Sequence, residues 1–298
     1  PVGGIVYAAK NIQSADQLKQ MIDNTKLYTS YPLFIAIDGE GSGTDAVAAA
    51  GLGTKTDSPE TIGASGDVNN AYTAGTTVGS YLAELGFNLD FAPAADLKVV
   101  DGNAAGSSSY GSEADKVASF VGYMQAGLQE QKVTACIGQF PGIGSSTQST
   151  KDGMASTDRS TEDFRANEFA AFQTCIDNGM TKMIRISNMA APSLTGDNTP
   201  CTFSSAVVTD ILRNELNFRG VIVSGVMNEA AISNYYGADE AAVLALRAGC
   251  DMIYAPENFE TAYNGVLEAV QNGTISEERV NDSLRRIYRI KYADKLEQ

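Results

Sequence analysis

The chain has 298 residues, a formal net charge of −15 and no histidine. The negative charge argues against nucleic acid or an anionic membrane surface as a partner, because proteins bind both through basic residues. The absence of histidine removes the commonest general base and metal ligand, and it excludes a Ser-His-Asp or Cys-His catalytic system. No run of about 18 apolar residues occurs, so we expect no membrane-spanning helix.

The cysteines and the polar composition give further expectations. The four cysteines are too far apart for a CxxC zinc pattern, so we expect no metal and no cofactor, and the sequence assigns no disulfide among Cys136, Cys175, Cys201 and Cys250. Abundant Ser, Thr, Asn, Gly and Ala with few Lys favour an extracellular or cell-surface bacterial protein, with a cytoplasmic one as the alternative. Because the chain begins inside a predicted strand with no signal-peptide pattern, we expect a processed or trimmed polypeptide.

Seven short apolar runs are typical of β-strands. Continuous runs such as residues 33–37 (Leu-Phe-Ile-Ala-Ile) suit strands that are buried on both faces of a parallel sheet. The predicted strands are residues 3–9, 32–38, 87–93, 133–139, 180–187, 220–224 and 250–255.

Amphipathic segments of helical length lie between and after these strands. Ser14 is a candidate N-cap of the first helix, and Gly86 is a candidate C-cap of the second. The predicted helices are residues 14–27, 69–85, 112–131, 161–178, 204–216, 238–248, 259–271 and 276–296.

The regular alternation of strands and helices indicates βαβ units and a parallel sheet. Seven units without an internal repeat or linker favour an α/β fold of the TIM-like (β/α) barrel type, formed by residues 1–298 as a single domain. One unit short of eight is the number expected if the chain starts after the first βα unit. The Ser/Gly-rich segments 102–111 and 142–153 follow strands, so we expect them at the carboxyl end of the barrel, where barrel enzymes carry their active sites.

Several phrases resemble glycoside hydrolase family 3, and the β-N-acetylhexosaminidase branch is the most similar. They are residues 35–41 (Ile-Ala-Ile-Asp-Gly-Glu-Gly), 86–96, 138–144 and 209–224, with the opening segment 3–12 and the closing segment 283–291. The resemblance covers essentially the whole chain in order, without the family's first strand and helix. It implies a barrel fold and a carbohydrate ligand.

The catalytic positions of that family are changed in this chain. The resemblance places the family's nucleophilic aspartate at Gly225, and the histidine that serves as general acid/base at Lys151. Five further positions that carry charged or histidine side chains in the family have become Gly43, Ser108, Gly138, Gln139 and Asn188. The aspartate that holds the sugar in the family's first subsite is kept as Asp38, and Glu40 and Asp96 are also kept. We therefore assign no catalytic residue, and the candidate ligand-binding residues are Asp38, Asp96, Gln139, Lys151 and Asn188.

The changed residues are predicted at one face, whereas the framework phrases remain, which indicates a barrel kept for another use. We expect that catalysis has been lost and that the chain binds a glycan or amino sugar. One alternative is an active glycoside hydrolase that uses relocated carboxylates, drawn from Asp38, Glu40 and Asp96. Another is a structural or partner-binding module, which would show a filled pocket and an exposed apolar patch. The oligomeric state is not predicted.

Individual residues also have two interpretations. The carboxylates could hold a ligand, or they could cap loops by accepting backbone N–H bonds. Lys151 could pair with Asp38 or Asp96, or it could be a surface lysine. Glu229, one turn after the changed nucleophile position, is expected to be a solvated or capping residue.

Overall fold

The computed structural model describes residues 2–39 and 45–293, and its centre is one sheet of seven parallel strands in sequential order. The parallel α/β architecture predicted from the sequence is confirmed, and each strand lies where the pattern placed it. The strands are β1 (Gly4–Tyr7), β2 (Phe34–Ile37), β3 (Leu89–Asp90), β4 (Thr134–Phe140), β5 (Met183–Ile186), β6 (Val221–Val226) and β7 (Met252–Tyr254).

The sheet curls around an interior cluster of side chains. Residues from six of the strands, among them Phe34, Phe91 beside β3, Met183 and Tyr254, pack together on the concave side. The convex side packs against the helices in a larger apolar core. This two-sided burial explains why the β2 sequence Phe-Ile-Ala-Ile has no polar alternation: every residue of the strand is buried.

The curled sheet is open between its first and last strands. Among the described residues, β1 pairs only with β2 and β7 only with β6. A cavity of about 260 Å³ runs along the interior side chains and reaches Val2, Gly3 and Pro256 at the open side.

The helices surround the sheet. They are α1 (Ala15–Leu27), α2 (Ala46–Ala49), α3 (Pro59–Ser65), α4 (Val68–Leu85), α5 (Ala114–Glu130), α6 (Thr161–Ala166), α7 (Glu168–Asp177), α8 (Pro192–Thr195), a π-helix (Ala206–Glu215), α9 (Ala230–Ser233), α10 (Ala238–Ala248), α11 (Phe259–Gln271) and α12 (Glu277–Lys291). Ile287 and Ile290 of α12 also contact the interior cluster.

Both predicted caps are confirmed. The Ser14 Oγ accepts a hydrogen bond from the Gln17 N–H at 3.2 Å, which satisfies one of the free donors at the start of α1. Gly86 ends α4 with φ +98°, a left-handed conformation that glycine adopts without steric cost.

One predicted helix is wrong, and two are altered. Residues 161–178 form two helices that break at Asn167, and the break turns Glu168 inward, where its Oε1 lies 2.6 Å from Arg159 Nε. The segment predicted as 204–216 is wound as the π-helix. Helix α12 ends at Lys291, and residues 294–296 of the predicted last helix lie outside the described residues.

Three further observations concern the cysteines, membrane spans and metal sites. All four cysteines are free and buried. No helix in the described part of the chain is both long and apolar enough to cross a membrane. Within residues 2–39 and 45–293, no three His, Cys, Asp or Glu side chains are grouped so that they could hold a metal ion.

Candidate carbohydrate site

The candidate residues lie at or near the carboxyl ends of the strands, the face on which barrel enzymes build their sites. Asp38 directly follows β2, Gln139 and Gly225 lie in the last two residues of β4 and β6, and Asn188 follows β5 by two residues. They do not form one open pocket. The structure divides them into two groups, one around Asp38 and one around Asn188.

Asn188 fills the space beside Gly225. A Cβ atom built on Gly225 would lie 1.9 Å from Asn188 Oδ1 and 2.5 Å from its Cγ, far inside van der Waals contact. The Asn188 side chain is 1% exposed, and its Nδ2 donates to the Val226 carbonyl at 2.8 Å and to Glu229 Oε2 at 3.0 Å. These two donor bonds fix the orientation of the amide. Position 225 therefore has neither a nucleophilic side chain nor room for one.

Glu229 belongs to the same group, contrary to the expectation that it is solvated or caps a helix. It precedes α9, but its side chain makes no capping hydrogen bond. Its Oε2 accepts from Thr150 Oγ1 at 2.8 Å as well as from Asn188. Glu229 thus connects the end of β6 to the loop that carries Lys151.

A small cavity lies between this loop and the strand ends. Its volume is about 60 Å³, and its lining includes Gln139, Thr150, Lys151 and Glu229. Since one water takes about 30 Å³ in the liquid, the space holds about two waters. Gln139 and Lys151 therefore line one cavity, but its space is too small for a sugar ring.

Asp38 is held by two other residues. Its Oδ2 accepts from Arg185 Nη1 and from the Tyr254 hydroxyl, each at 2.9 Å. Arg185 is 3% exposed, and its guanidinium lies 5.5 Å from the centroid of the Phe91 ring. Asp38 Oδ1 is buried and accepts no hydrogen bond. Lys151 is not among these partners of Asp38, and its pairing with Asp38 or Asp96 stays a prediction.

Asp90, at the end of β3, lies next to this group. It is 1% exposed, and its Oδ1 accepts from the Gly39 N–H at 3.0 Å. Burial raises the pKa of the Asp90 carboxyl well above its usual range, and the nearby charges of Asp45 and Asp38 raise it further. The local electrostatics therefore favour an uncharged Asp90.

Asp96 lies under the loop that follows β4. It is 1% exposed, and its Oδ1 accepts from the Ile143 N–H at 2.8 Å. This position favours the loop-holding interpretation over direct contact with a ligand. A ligand-binding role for Asp96 stays a prediction.

Comparison with known proteins decides the family. The sequence profile of the "Glycosyl hydrolase family 3 N terminal domain" matches residues 1–290. This chain belongs to glycosyl hydrolase family 3. It is similar to the "Beta-hexosaminidase" of Nitrosomonas eutropha, with 31% identity over 258 residues, which cover 85% of this chain and 73% of that protein. It is also similar to the "Beta-hexosaminidase A" of Pseudoalteromonas piscicida, with 25% identity over 97% of this chain and 53% of the relative.

Solved structures give the same family. The "glycoside hydrolase family 3 beta-N-acetylglucosaminidase from Paenibacillus sp. str. FPU-7" superimposes with a TM-score of 0.94 at 31% identity, over 100% of this chain. The "Beta-N-acetylhexosaminidase from Beutenbergia cavernae DSM 12333" superimposes with a TM-score of 0.87 at 26% identity, over 97% of this chain and 89% of that one. This chain spans 57% of the Paenibacillus chain, so the activity of that whole protein is not carried over.

Two of the positions compared with the family, the kept Glu40 and the changed Gly43, have no structural account. Glu40 and Gly43 lie outside the described residues. Ser108 lies in a short 3₁₀ turn (Gly106–Ser108) of the loop after β3.

Sequence reasoning missed Arg185, Tyr254 and Asp90. Arg185 did carry a signal, because it is a charged residue inside the apolar strand sequence Met-Ile-Arg-Ile, and a buried charge needs a partner. Asp90 had the same signal inside Phe-Asn-Leu-Asp-Phe. Nothing local in the sequence marked Tyr254.

Proposed function

We propose that this family 3 chain binds carbohydrate, most naturally an amino-sugar glycan, and does not cleave glycosidic bonds. The observation that carries the proposal is the position of Asn188 Oδ1, 1.9 Å from a Cβ built on Gly225. Retaining hydrolysis requires a nucleophilic carboxylate about 5–5.5 Å from the acid/base. The nucleophile's position in this chain has neither the group nor the space for it.

The acid/base position supports the same conclusion. Lys151 stands where the resemblance places the family's histidine, and an ammonium group is a poor proton donor to a glycosidic oxygen at neutral pH. The relocated-carboxylate alternative has little support among the described residues. Asp96 is buried and holds the Ile143 N–H, and Asp38 is occupied by Arg185 and Tyr254.

Carbohydrate binding is supported by acceptors that have no donor. Asp38 Oδ1 and Asn188 Oδ1 are both buried and accept no hydrogen bond. Buried polar atoms in proteins nearly always have a partner, so such atoms at a strand-end face suit the hydroxyl and amide donors of a sugar. The names of the relatives, β-hexosaminidases and a β-N-acetylglucosaminidase, support an amino sugar as the ligand class.

A ligand would have to open the site. Ligand pockets usually measure about 300–1,000 Å³, and the cavity beside Gln139 and Lys151 measures about 60 Å³. The Thr150–Glu229 hydrogen bond is one of the contacts that hold the loop closed. We therefore propose that binding moves this loop away from Glu229, and that Thr150→Val, which removes the bond, strengthens binding.

The partner-binding alternative has one observation in its favour. Large apolar side chains are exposed along α11 and α12 beside the open side of the sheet, at Phe259, Tyr263, Leu267, Leu284 and Tyr288. An apolar groove of about 320 Å³ runs between these helices and the residues just before β1, Val2 and Gly3. This patch has the character that the partner-binding hypothesis requires.

Secretion of the protein stays a prediction.

The test joins a hydrolysis screen with a binding measurement. Fluorogenic β-N-acetylglucosaminide, β-glucoside, β-xyloside and α-arabinoside are offered at high protein concentration, with Asp38→Asn as the contamination control. We expect no turnover above that control, and saturable calorimetric binding of N-acetylglucosamine oligomers that Asp38→Asn weakens. Turnover that disappears in Asp38→Asn would instead establish a rewired hydrolase. Absence of both turnover and glycan binding would favour the partner-binding alternative.

A further inference from the structure

The opposite mouth of the barrel contains a second cavity, which the family relationship does not explain. Its volume is about 230 Å³, and it lies among the amino ends of the strands. Phe34 begins β2, Thr134 begins β4, and Lys182 directly precedes β5. At about 30 Å³ per water, the cavity has room for a compact solute of several heavy atoms.

The charges around this cavity are of one sign. Lys132, Lys182 and Lys291 line it, and no Asp or Glu is among its described lining residues. Neither Lys132 nor Lys182 has an acidic side chain within ion-pair distance in the part of the chain that the structure describes. In a protein of net charge −15, three lysines around one cavity with no acidic residue in its described lining are unexpected.

Lys291 is held beside the cavity by contacts with the fold, and Lys132 has an unusual backbone conformation. Lys291, at the end of α12, donates to the Gly3 carbonyl, and its Nζ lies 4.8 Å from the centroid of the Phe34 ring. Lys132 follows α5 with φ +63°, in the left-handed region where glycine or asparagine is usual. A lysine in this backbone conformation costs conformational free energy that a glycine would avoid. This cost indicates that position 132 needs the lysine side chain.

The chemistry of the lining identifies the ligand class. Like charges that converge on a confined space repel each other, and a multiply charged anion would remove the repulsion. Ammonium groups bind phosphate oxygens as point charges without demanding one planar geometry. A neutral sugar would leave all three charges uncompensated, and a cation would add to them.

We propose that the cavity at the amino ends of the strands binds a small phosphate-class dianion, either inorganic phosphate or a compact phosphate monoester, through Lys132, Lys182 and Lys291. The site lies at the opposite end of the barrel from Asp38 and Asn188. Its occupancy is therefore independent of the carbohydrate proposal.

The experiment is a calorimetric titration of the whole chain at low ionic strength, where exposed charges are least screened. The probes are inorganic phosphate and glycerol 3-phosphate, with sodium chloride at matched ionic strength as the blank. The test variant is Lys132→Gln with Lys182→Gln. The matched control is Lys10→Gln with Lys116→Gln, two exposed lysines outside the cavity lining that give the same change in net charge.

We expect one saturable site for at least one probe. The dissociation constant should rise about tenfold in the test variant, which corresponds to the loss of about one to two surface ion pairs. In the control variant it should rise less than twofold. The probe that binds more tightly tells free phosphate from an ester. Equal weakening in both variants would mean a response to net charge alone and would overturn the site. So would the absence of saturable binding of both probes above the chloride blank.

Discussion

Asn188 and Gly225 form a complementary pair: the amide of one occupies the space in which the other would need a side chain. We predict that Gly225→Ala destabilises the protein by about 1–3 kcal/mol, the usual cost of overpacking a core. In the Asn188→Ala background the same change should cost at least about 1 kcal/mol less, because the atoms it meets are gone. Urea unfolding of the four proteins of this double-mutant cycle measures the coupling.

Gly122→Ala is the control for that cycle. A Cβ on Gly122 in α5 would meet only Asn178 Nδ2, at an ordinary 3.5 Å, so alanine there should be neutral or stabilising by about 0.4–1 kcal/mol. Equal costs for Gly225→Ala in the two backgrounds would show that Asn188 does not occupy the space.

Restoring the two family residues should not restore the family's chemistry. We predict that Gly225→Asp with Lys151→His gives no turnover of N-acetylglucosaminides at ordinary family rates, since Asn188 still blocks the new carboxylate and positions 108, 138 and 139 remain changed. Single-turnover assays at high enzyme concentration provide the measurement. Rates typical of the family in this double variant would refute the prediction and show that the rest of the site is intact.

The Asp38–Arg185–Tyr254 group predicts an order of stabilities. Tyr254→Phe removes one hydrogen bond and keeps the ring stacked on Phe91, so it should cost about 1 kcal/mol. Asp38→Ala leaves Arg185 buried without this carboxylate, and we expect about 2–4 kcal/mol, below the full cost of breaking a buried pair because Asp38 is partly exposed. Asp38→Asn should lie between the two. An Asp38→Ala variant as stable as Tyr254→Phe would contradict the assigned ion pair.

How much of this could be predicted from the sequence depends on the range of the interactions. Ser14 and Gly86 were identified as caps because a cap is set within a few residues, and the seven strands were found because their apolar runs are local. Asp38, Arg185 and Tyr254 are separated by 147 and 216 positions along the chain, and no local pattern joins them. The break at Asn167 was missed because the partner of Glu168 is Arg159, which lies in the loop before α6 and outside the helical pattern.

Asp90 gives a pH-dependent prediction. Its pKa is raised in the folded protein, so the folded state holds a proton that the unfolded state has lost. Stability should therefore fall as pH rises above the ordinary carboxyl range toward the raised pKa. Asp90→Asn is neutral and keeps an oxygen for the Gly39 N–H, so it should be more stable than the unchanged protein at pH 7 and should lose the pH dependence that Asp90 causes. Chemical unfolding from pH 4 to 8 tests this, with the exposed Asp152→Asn as control. Parallel curves for Asp90→Asn and the unchanged protein would show that Asp90 is not the source.

Lys291 should make phosphate binding pH-dependent. Burial lowers the pKa of its ammonium group to about 8, whereas Lys132 and Lys182, which face the same cavity, are exposed. Below pH 8 three charges meet the anion, and above it Lys291 loses its proton while a phosphate monoester, with its second pKa near 6, stays dianionic. The affinity for glycerol 3-phosphate should therefore fall about two- to fivefold from pH 7 to pH 9.5, the range expected for one ion pair near a surface.

Because bound dianion favours the charged lysine, binding at pH 8.5 should take up protons, which calorimetry in two buffers of different ionisation enthalpy measures. Lys291→Met should bind more weakly at pH 7 and lose the pH dependence. A pH profile that is unchanged in Lys291→Met would assign the titration to another group and remove Lys291 from the site.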